Sequence, residues 1–475
     1  MSKFNTATVN KTATTNLAGG KGYTESAKLE LISILLTSFV QDQFYRSADA
    51  GMARTVELVR LDPYFAAKAA IYARNEFGMR SISHVVAAEI GNCAKGQTWV
   101  KDFFNKIVRR PDDMTEIISI LLNGKNKLPN ALRKGFGSAF ERFDSYHLAK
   151  YRGEGKGVSL VDVVNLVHPR PCEKNADALK ALVDDTLRNT ETWESKVSAA
   201  GQSDGDTDEL KAEAWKELLQ ERKLPYFALL RNLRNIIQQA PDMVDLALET
   251  LVDSNLIHKS LVLPFRFQTA ANQISQLDGA DARKTLAALA KAVDTSLDNV
   301  PKLDGKTLIM VDGSGSMNGV IDKAVLFAAV LYKTQDADCL IYSNDSKFYS
   351  PNAVDSTLTI AENIKGKCPW GGTNLPSAFA KATKAYDRII ILSDMQSWGT
   401  WRGMDDSKTA YGDYVKRVGV RPRLYSWDLA GYGTLQMPEK NVYCLAGFSE
   451  KVLDIMKLLE QDREALIHTI EAIQL

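Results

Sequence analysis

The sequence has no apolar run long enough to cross a membrane as a helix, which takes about 18 uninterrupted apolar residues. Its N-terminus lacks a basic stretch followed by an apolar one, so we expect no secretory signal. Its cysteines are few and scattered and form no Cys-x-x-Cys pair, which argues against a disulfide framework or a zinc cluster and indicates a reducing cytosol. We therefore expect a cytoplasmic protein without a membrane contact, with these cysteines as buried small apolar residues: Cys93, Cys172, Cys339, Cys368 and Cys444.

The sequence also lacks the usual signatures of catalysis. It has no recognisable nucleophile with a base beside it, no Walker loop, and no cluster of carboxylates of the kind that nucleases use. The composition, 45% hydrophobic and 25% charged residues over 475 positions, is ordinary for a globular chain of two or three domains. We predict that the protein is not an enzyme.

A surplus of charge of one sign is also missing, because the net charge is only +1. The local charge is more informative: Lys95 to Lys174 holds 15 basic against 9 acidic residues, whereas Gly201 to Thr250 holds 6 against 10. A basic segment of this kind is typical of a surface that faces phosphates. It is equally typical of a solvated helix face, so the charge pattern alone leaves both interpretations open.

Residues 24 to 298 show apolar side chains three and four positions apart, as from Leu29 to Phe39 and from Met114 to Leu122, which predicts helices. Short turn signals such as Asp62-Pro63, Pro111-Asp112 and Ala240-Pro241 separate them. Helices of similar length joined by short turns indicate an α-solenoid of HEAT-like repeats. We predict a flexible N-terminal arm over residues 1–22 and this helical domain over residues 23–300.

The pattern changes near residue 300. Short apolar runs typical of buried parallel strands appear at Thr307 to Val311 and at Arg388 to Leu392, with weaker candidates at Cys339 to Tyr342, Arg423 to Trp427 and Val442 to Leu445. Helical segments lie between them, as at Ala324 to Tyr332 and Leu375 to Tyr386. Strands that alternate with helices predict a Rossmann-like, doubly wound α/β domain over residues 301–475.

Oxygen ligands follow two of these strands. Asp312-Gly313-Ser314-Gly315-Ser316 ends the first, Gly371-Gly372-Thr373-Asn374 precedes a helix, and Asp394 follows the strand that begins at Arg388. Carboxylates and hydroxyls are the hard donors that Mg²⁺ or Mn²⁺ prefers. In the other interpretation, Asp312 and Ser316 cap the start of a helix.

This set resembles the metal-ion-dependent adhesion site of von Willebrand A domains. The five positions that match the motif are Asp312, Ser314, Ser316, Thr373 and Asp394. The resemblance implies direct ligation by the two serines, and direct or water-mediated ligation by the other three. It also implies an open position on the metal for the carboxylate of a partner protein, although a purely structural metal is an open alternative.

A second resemblance covers most of residues 16 to 298 and is to the Ro/TROVE family of RNA-binding proteins. The segments that carry it are Asn16 to Gly20, Arg74 to Glu89, Leu128 to Gly135, Phe140 to Tyr151, Asp162 to Pro171, Ala228 to Asn235 and Pro264 to Arg266. The resemblance implies helical repeats closed into a ring, although the apolar pattern would equally allow an open superhelix. It further implies RNA on the basic outer surface and single-stranded RNA ends in a central hole.

The basic segment Lys95 to Lys174 contains seven candidate RNA contacts, of which all but Arg152 lie within the matched segments. Basic side chains neutralise phosphates and planar side chains stack on unpaired bases. The candidates are Arg133, Lys134, Arg142, Lys150, Arg152, His168 and Arg170. A histidine before proline is also typical of a packed turn, and Arg231 and Arg234 could equally form salt bridges with the acidic segment.

We therefore predict a protein that binds structured or misfolded noncoding RNA, Y-like RNA included, by its single-stranded ends. The role that this implies is RNA quality control or delivery to an exoribonuclease, with the chain as a monomer. The alternative is a metal-dependent protein-binding or assembly module on a helical scaffold. The basic segment Lys95 to Lys174 favours RNA binding, because a protein-binding scaffold does not require a surplus of positive charge.

Overall fold

The computed structural model describes residues 13–15, 21–24, 26–37, 48–153, 157–187, 193–202, 207–260, 262, 264–396, 407–432, 434–437, 442–446, 452–453, 456–457, 460 and 465–475. The predicted segment Asn16 to Gly20 and most of the N-terminal arm lie outside them. The chain forms two compact units. The first comprises Met1–Thr190, Ser393–Asp413 and Leu424–Leu475, and the second Glu191–Leu392 and Tyr414–Arg423.

The helical region contains seventeen described α-helices before the first buried strand. They are α1 (Ala27–Thr37), α2 (Ala48–Leu61), α3 (Pro63–Glu76), α4 (Ser81–Cys93), α5 (Val100–Ile107), α6 (Pro111–Asn123), α7 (Asn130–Phe140), α8 (Ser145–Lys150), α9 (Leu160–Val167), α10 (Ala176–Val183), α11 (Trp193–Gln202), α12 (Thr207–Gln220), α13 (Tyr226–Gln239), α14 (Val244–Leu251), α15 (Ser254–Ser260), α16 (Pro264–Ile274) and α17 (Ala280–Ser296). Within the described residues, no helix is both long enough and apolar enough to cross a membrane.

Two of the predicted turn signals lie at helix N-termini, and the geometry of the first helical turn explains why. Pro63 and Pro111 occupy the first turns of α3 and α6, where a missing N–H costs nothing and the ring favours helical backbone. The Asp62 side chain accepts a hydrogen bond from the Phe65 N–H at 3.0 Å and so caps α3. Helix α1 contains the described part of the stripe from Leu29 to Phe39, and α6 contains the stripe from Met114 to Leu122, so the prediction of successive helices is confirmed.

Two described strands precede α1, and the remaining elements follow α17. The later helices are α18 (Ile321–Thr334), α19 (Thr357–Gly366), α20 (Leu375–Lys381), α21 (Ser407–Val418) and α22 (Ala465–Glu471). The strands are β1 (Ala13–Thr15), β2 (Lys21–Thr24), β3 (Thr307–Asp312), β4 (Ala337–Tyr342), β5 (Ser346–Tyr349), β6 (Arg388–Ser393), β7 (Arg423–Asp428), β8 (Thr434–Leu435) and β9 (Val442–Ala446). All five predicted strands are present. The change from helices to strands lies between Ser296 and Thr307, and the predicted domain boundaries themselves stay a prediction.

The second unit holds strands in the order β5-β4-β3-β6. Strand β3 is parallel to both β4 and β6, and every residue of β3 and β6 is buried, which explains their continuous apolar runs. Strand β5 is antiparallel to β4, so the sheet is mixed. A separate apolar core in this unit joins helices α12 to α17 around Trp215, Leu229, Phe267 and Leu289.

The first unit contains α1 to α10 and two groups of paired strands. Strands β1, β2 and β8 form an antiparallel sheet in which Tyr23 is opposite Leu435, and β7 is parallel to β9. Within the predicted N-terminal arm, residues 13–15 form β1 and residues 21–22 begin β2. Helix α22 packs on α3, where the Lys68 ammonium donates to the Glu471 carbonyl oxygen.

The predicted fold class, helical repeats followed by an α/β domain, is confirmed. Closure of the repeats into a ring stays a prediction. Two smaller expectations are wrong. Helix α20 ends at Lys381 instead of Tyr386, and Cys93 is exposed and Cys172 half-buried. Cys339 and Cys368 are buried as expected, and the Cys444 side chain lies outside the described residues.

Candidate functional site

Helix α7 presents two predicted RNA contacts to solvent. Pro129 precedes α7 and its carbonyl oxygen accepts the Arg133 N–H at 3.2 Å. A side chain at Gly135 would place its Cβ 2.5 Å from the Lys101 carbonyl oxygen, so α7 lies against α5 at this point. Helical geometry turns Arg133, two residues earlier, to the opposite side of α7. Both Arg133 and Lys134 are exposed there.

Helix α9 ends next to this face. Its N-terminus is fixed by a capping box in which Ser159 and Asp162 bond reciprocally, and its C-terminus is His168 in the left-handed conformation, with φ 51° and ψ 62°. Val167 lies close to α7, because a Cβ built on Gly137 would be 3.6 Å from the Val167 Cγ1. Arg133 lies one helical turn before Gly137. Arg133 therefore lies on the side of α7 that Val167 of α9 approaches. Lys134 follows it on α7, His168 and Arg170 follow Val167 at the end of α9, and all four side chains are exposed; we call these four residues the α7–α9 surface.

Two other predicted RNA contacts have structural roles. The Arg142 guanidinium donates to the side-chain oxygen of Asn105, to the Asn105 carbonyl at 2.7 Å and to the Val108 carbonyl at 2.8 Å. Arg142 thus ties the end of α7 to the end of α5. Whether it contacts RNA stays a prediction, but the structure gives its donors another use.

Arg152 is held in a similar way. Its guanidinium donates to the Leu187 carbonyl and to the Asp185 carboxylate, both at 2.7 Å, and its side chain is only 13% exposed. It therefore connects the segment after α8 with the segment after α10. RNA binding by Arg152 likewise stays a prediction, because these bonds already give its guanidinium a structural role.

Lys150 lies beside an exposed aromatic residue, Tyr146, which was not among the predicted RNA contacts. Its ammonium lies 5.7 Å from the centre of the Tyr146 ring, and Tyr146 is 42% exposed. An exposed ring beside an ammonium group offers both a stacking face and a positive charge to a single-stranded nucleotide. The signal in the sequence was the i, i+4 spacing of tyrosine and lysine on α8.

The segment Arg74 to Glu89, which carries part of the family resemblance, builds a buried ion network. Arg74 on α3 and His84 on α4 each reach Asp113 of α6 at 3.0 Å. The backbone N–H groups of Arg109 and Arg110 donate to the same carboxylate at 2.9 Å. Burial raises the pKa of Asp113, but the His84 hydrogen bond and the Arg74 charge outweigh it and hold that pKa well below its usual range. This segment therefore stabilises three helices from the inside.

The predicted metal ligands on the first loop lie together at the end of β3. Asp312 and Ser314 are fully buried, and the Asp312 Oδ1 accepts the Ser314 N–H at 3.0 Å. The Ser314 and Ser316 hydroxyl oxygens are 3.2 Å apart. This spacing suits two donors that share one centre.

The second loop is bonded to the first. The Gly315 N–H donates to the Gly371 carbonyl at 3.0 Å, and the Trp370 N–H donates to the Gly313 carbonyl at 2.9 Å. Thr373, in this loop, is 6% exposed. The two bonded loops are residues 312–316, with Asp312, Ser314 and Ser316, and residues 370–374, with Thr373. We call both loops together the metal loop. Within this unit the structure brings one carboxylate and three hydroxyls onto two loops that are joined by backbone hydrogen bonds.

Asp394 follows β6 and belongs to the other compact unit. It is fully buried, and its Oδ1 accepts the Gln396 N–H at 3.1 Å. Its part in a metal site stays a prediction. Near the metal loop, burial raises the pKa of the Cys368 thiol to about 12.

The helical part of the chain matches a known protein family. The family model of the TROVE domain matches residues 33–193 and 185–314. Telomerase protein component 1 of Mus musculus is 25% identical over 346 residues, which cover 54% of this chain and 13% of that protein. The protein of the same name from Rattus norvegicus is 22% identical over 346 residues with the same coverage. The matched part thus spans about an eighth of these curated relatives, 13% of each.

The crystal structure of the Deinococcus radiodurans Ro (RSR) protein has the same fold. It superposes with a TM-score of 0.63 and 18% sequence identity, over 91% of this chain and 98% of that chain. The match covers the α/β strands as well as the helices. The TROVE-domain matches together cover more than half of the sequence, and the chain therefore belongs to the TROVE-domain family.

Proposed function

We propose that this chain binds structured or misfolded noncoding RNA, Y-like RNA among it, through the α7–α9 surface. The observation that carries the proposal is the grouping of Arg133, Lys134, His168 and Arg170 as exposed side chains at the contact of α7 with α9. Guanidinium and ammonium groups neutralise phosphates, and an exposed imidazole stacks on an unpaired base. Membership of the TROVE-domain family supports RNA as the partner.

The backbone at His168 adds to this argument. A non-glycine residue with positive φ is uncommon, and strained residues collect at binding sites where the surrounding structure holds them. The His168 N–H is fixed by the Val164 carbonyl at 2.9 Å, while its ring is exposed. The conformation projects the ring outward from the end of α9, as a stacking contact requires.

The wider role in this proposal is RNA quality control in the cytoplasm. The chain acts as a monomer, holds RNA by its single-stranded end and delivers it to an exoribonuclease. No catalytic step by this chain is included.

Binding to a labelled RNA hairpin with a single-stranded 3′ tail tests the proposal. The triple substitution Arg133→Ala, Lys134→Ala and Arg170→Ala should weaken binding by about tenfold or more at moderate salt, because each substitution removes one positive charge that neutralises a phosphate. The matched control removes the same three charges elsewhere, from the exposed residues Lys259, Arg283 and Lys291. Equal weakening in both variants, or unchanged binding in the first, would contradict the proposal.

We propose a second activity for the metal loop: it holds Mg²⁺, or Mn²⁺ in its place, and captures a carboxylate from a partner protein. The observation that favours it is the pairing of the Ser314 and Ser316 hydroxyls beside Asp312 and the Thr373 loop. Asp394 completes the ligand set by its position in the sequence motif. Neutral hydroxyls fill positions on the ion without cancelling its charge, so the ion keeps an attraction for an external carboxylate.

A further inference from the structure

Strand β5 is the edge strand of the sheet within the described residues, and it lines a pocket. It stands at the end of the strand order β5-β4-β3-β6 and pairs with β4 on its inner side. An edge strand offers a row of backbone N–H and C=O groups to another extended chain. The outer side of β5 is therefore suited to the addition of a strand.

A pocket of about 410 Å³ lies at this edge. Its walls are mostly apolar and come from β4, the turn to β5, β5 itself and the segment before the metal loop. The lining residues are Ile341, Asn344, Asp345, Ser346, Lys347, Phe348, Tyr349, Lys367 and Pro369. An apolar pocket of this size takes a large side chain, with room for the atoms that flank it.

Two lysines and one carboxylate, Asp345, are the charged residues of the pocket lining, and this surplus of positive charge favours an acidic ligand. Lys347 and Lys367 line it and are both exposed, and neither is paired with a carboxylate among the residues that the structure describes. The lysine on β5 also disfavours a second copy of this chain as the occupant, because antiparallel pairing of two β5 strands would bring like charges together.

The pocket is continuous with the metal loop. The Asn344 side chain accepts the Gly372 N–H at 2.8 Å, and the Asn374 side chain donates to the Asn344 carbonyl at 3.1 Å. Packing here is so close that a Cβ on Gly371 would be 2.5 Å from the Asn344 Nδ2. A chain laid along β5 therefore reaches the turn that supports Thr373.

Trp370 marks the same side of the loop. It lies between Pro369 of the pocket and Gly371, is 42% exposed, and has a φ of 57°, a left-handed conformation that is unfavourable for a bulky side chain. Exposed tryptophan is enriched among the residues that dominate protein–protein interfaces. A strained and exposed tryptophan next in sequence to Pro369 of the pocket is what a docking surface for a protein segment would present.

We propose that the β5 edge and its pocket bind an extended acidic segment of a partner protein. The segment adds a strand to β5, places one large apolar side chain in the pocket and aligns its acidic side chains with Lys347 and Lys367. The inference names the partner chemistry for the capture activity proposed above, but the contacts that carry it do not include the metal. RNA is disfavoured as the occupant because the walls are mostly apolar and the edge offers backbone groups in the register of a peptide.

Fluorescence anisotropy with the full chain tests this inference. The probe is a labelled eight-residue peptide that alternates glutamate with valine and has one central phenylalanine. The double substitution Lys347→Glu and Lys367→Glu should weaken binding by about tenfold or more, since two attractions become repulsions. The matched control is Lys259→Glu with Lys291→Glu, which changes the same charge at exposed sites away from the pocket. Absence of saturable binding by the parent chain, or equal weakening by both pairs, overturns the proposal.

A peptide N-methylated at alternate amides distinguishes strand addition from simple charge attraction without any change in the protein. The methylated peptide cannot donate to β5 and should lose binding, whereas equal binding of both peptides overturns strand addition. Displacement of the peptide by oligouridylate, together with loss of oligouridylate binding in the Lys347→Glu variant, would identify RNA as the occupant and overturn the proposal. Chelation with EDTA should leave peptide binding measurable, so failure of the metal proposal can be told from failure of this one.

Discussion

The Arg74 guanidinium and the Asp113 carboxylate form a buried ion pair in which one nitrogen, Nη2, donates to both carboxylate oxygens at 3.0 Å. Arg74 is 6% exposed and Asp113 is fully buried. Burial lowers the pKa of Arg74, and the charge of Asp113 opposes that shift. The pair joins α3 to α6 in a region where neither charge can be satisfied by water.

We expect Arg74→Ala to lower the free energy of unfolding by about 3–5 kcal/mol, because it removes the guanidinium charge from a carboxylate that stays buried. The measurement is denaturant unfolding followed by a signal from the first unit. The control is Lys28→Ala, which removes an ion pair with Glu471 whose side chains are 37% and 43% exposed, and should change stability little. Similar effects of the two substitutions would show that the buried network is not an important source of stability.

The network around Asp113 predicts that the free energy of unfolding depends on pH. The folded pKa of Asp113 is depressed, so the carboxylate contributes stability above its unfolded pKa, about 3.9, and this contribution is lost as pH falls through the folded pKa. The stability difference between the parent chain and Asp113→Asn should therefore be largest near neutral pH and should shrink below about pH 4. Urea unfolding of both proteins at pH 7 and pH 3 measures it. A difference that stays constant over this range contradicts the assignment.

RNA affinity should fall steeply with salt. Each phosphate contact with single-stranded RNA contributes about −0.7 to the slope of log affinity against log salt. The Arg133→Ala, Lys134→Ala and Arg170→Ala variant should thus show a slope shallower by about 2. Arg152→Ala should instead lower thermal stability, because its donors bind the Leu187 carbonyl and Asp185. A salt-independent affinity of the parent chain would rule out the electrostatic interface.

His168→Asn separates a stacking role from a turn role. Asparagine tolerates the left-handed backbone at this position but has no ring. If His168 stacks on a base, RNA binding should weaken by about 1–3 kcal/mol while the unfolding midpoint stays nearly unchanged. If the residue is only a packed turn, RNA affinity will be unaffected. Filter binding and thermal unfolding on the same preparations provide the two readouts.

Local chemistry explains which elements could be predicted from sequence. Pro63 and Pro111 begin helices because of constraints within one turn, and β3 and β6 are continuous apolar runs because both faces are buried. Strands β1 and β2 could not be predicted in this way. They are short and rich in Thr, Gly and Lys, and β2 pairs with β8, some 400 residues away in sequence, as in the Tyr23 and Leu435 pair.

The site residues, too, could be predicted only where neighbours in sequence determine their contacts. Asp312, Ser314 and Ser316 were predictable because two residues of spacing along one loop decide their proximity. Arg142 and Arg152 have the residue type of phosphate contacts, but their acceptors lie 33 to 37 residues away and include backbone carbonyls, which no motif reveals. Asp113 could not be predicted for the same reason, because Arg74 and His84 are 39 and 29 residues distant.

In the metal loop, a substitution at Asp312 can separate the negative charge of the side chain from its hydrogen bond. Asp312→Asn keeps an oxygen to accept the Ser314 N–H and removes the negative charge, so the loop should keep its fold. We expect this variant to lose Mn²⁺ binding in a calorimetric titration, because a neutral amide is a much weaker ligand for a hard cation.

Thr373→Ala removes one buried hydroxyl from the same loop. It should weaken capture of a carboxylate-bearing partner while leaving RNA affinity and the unfolding midpoint intact, because the α7–α9 surface lies on other helices. Thr295→Ala, which removes a hydroxyl bonded to the Lys291 carbonyl on α17, is the matched control. A purely structural ion gives a different pattern: Asp312→Asn would lower the unfolding midpoint, and neither Thr373→Ala nor chelation would release any protein partner.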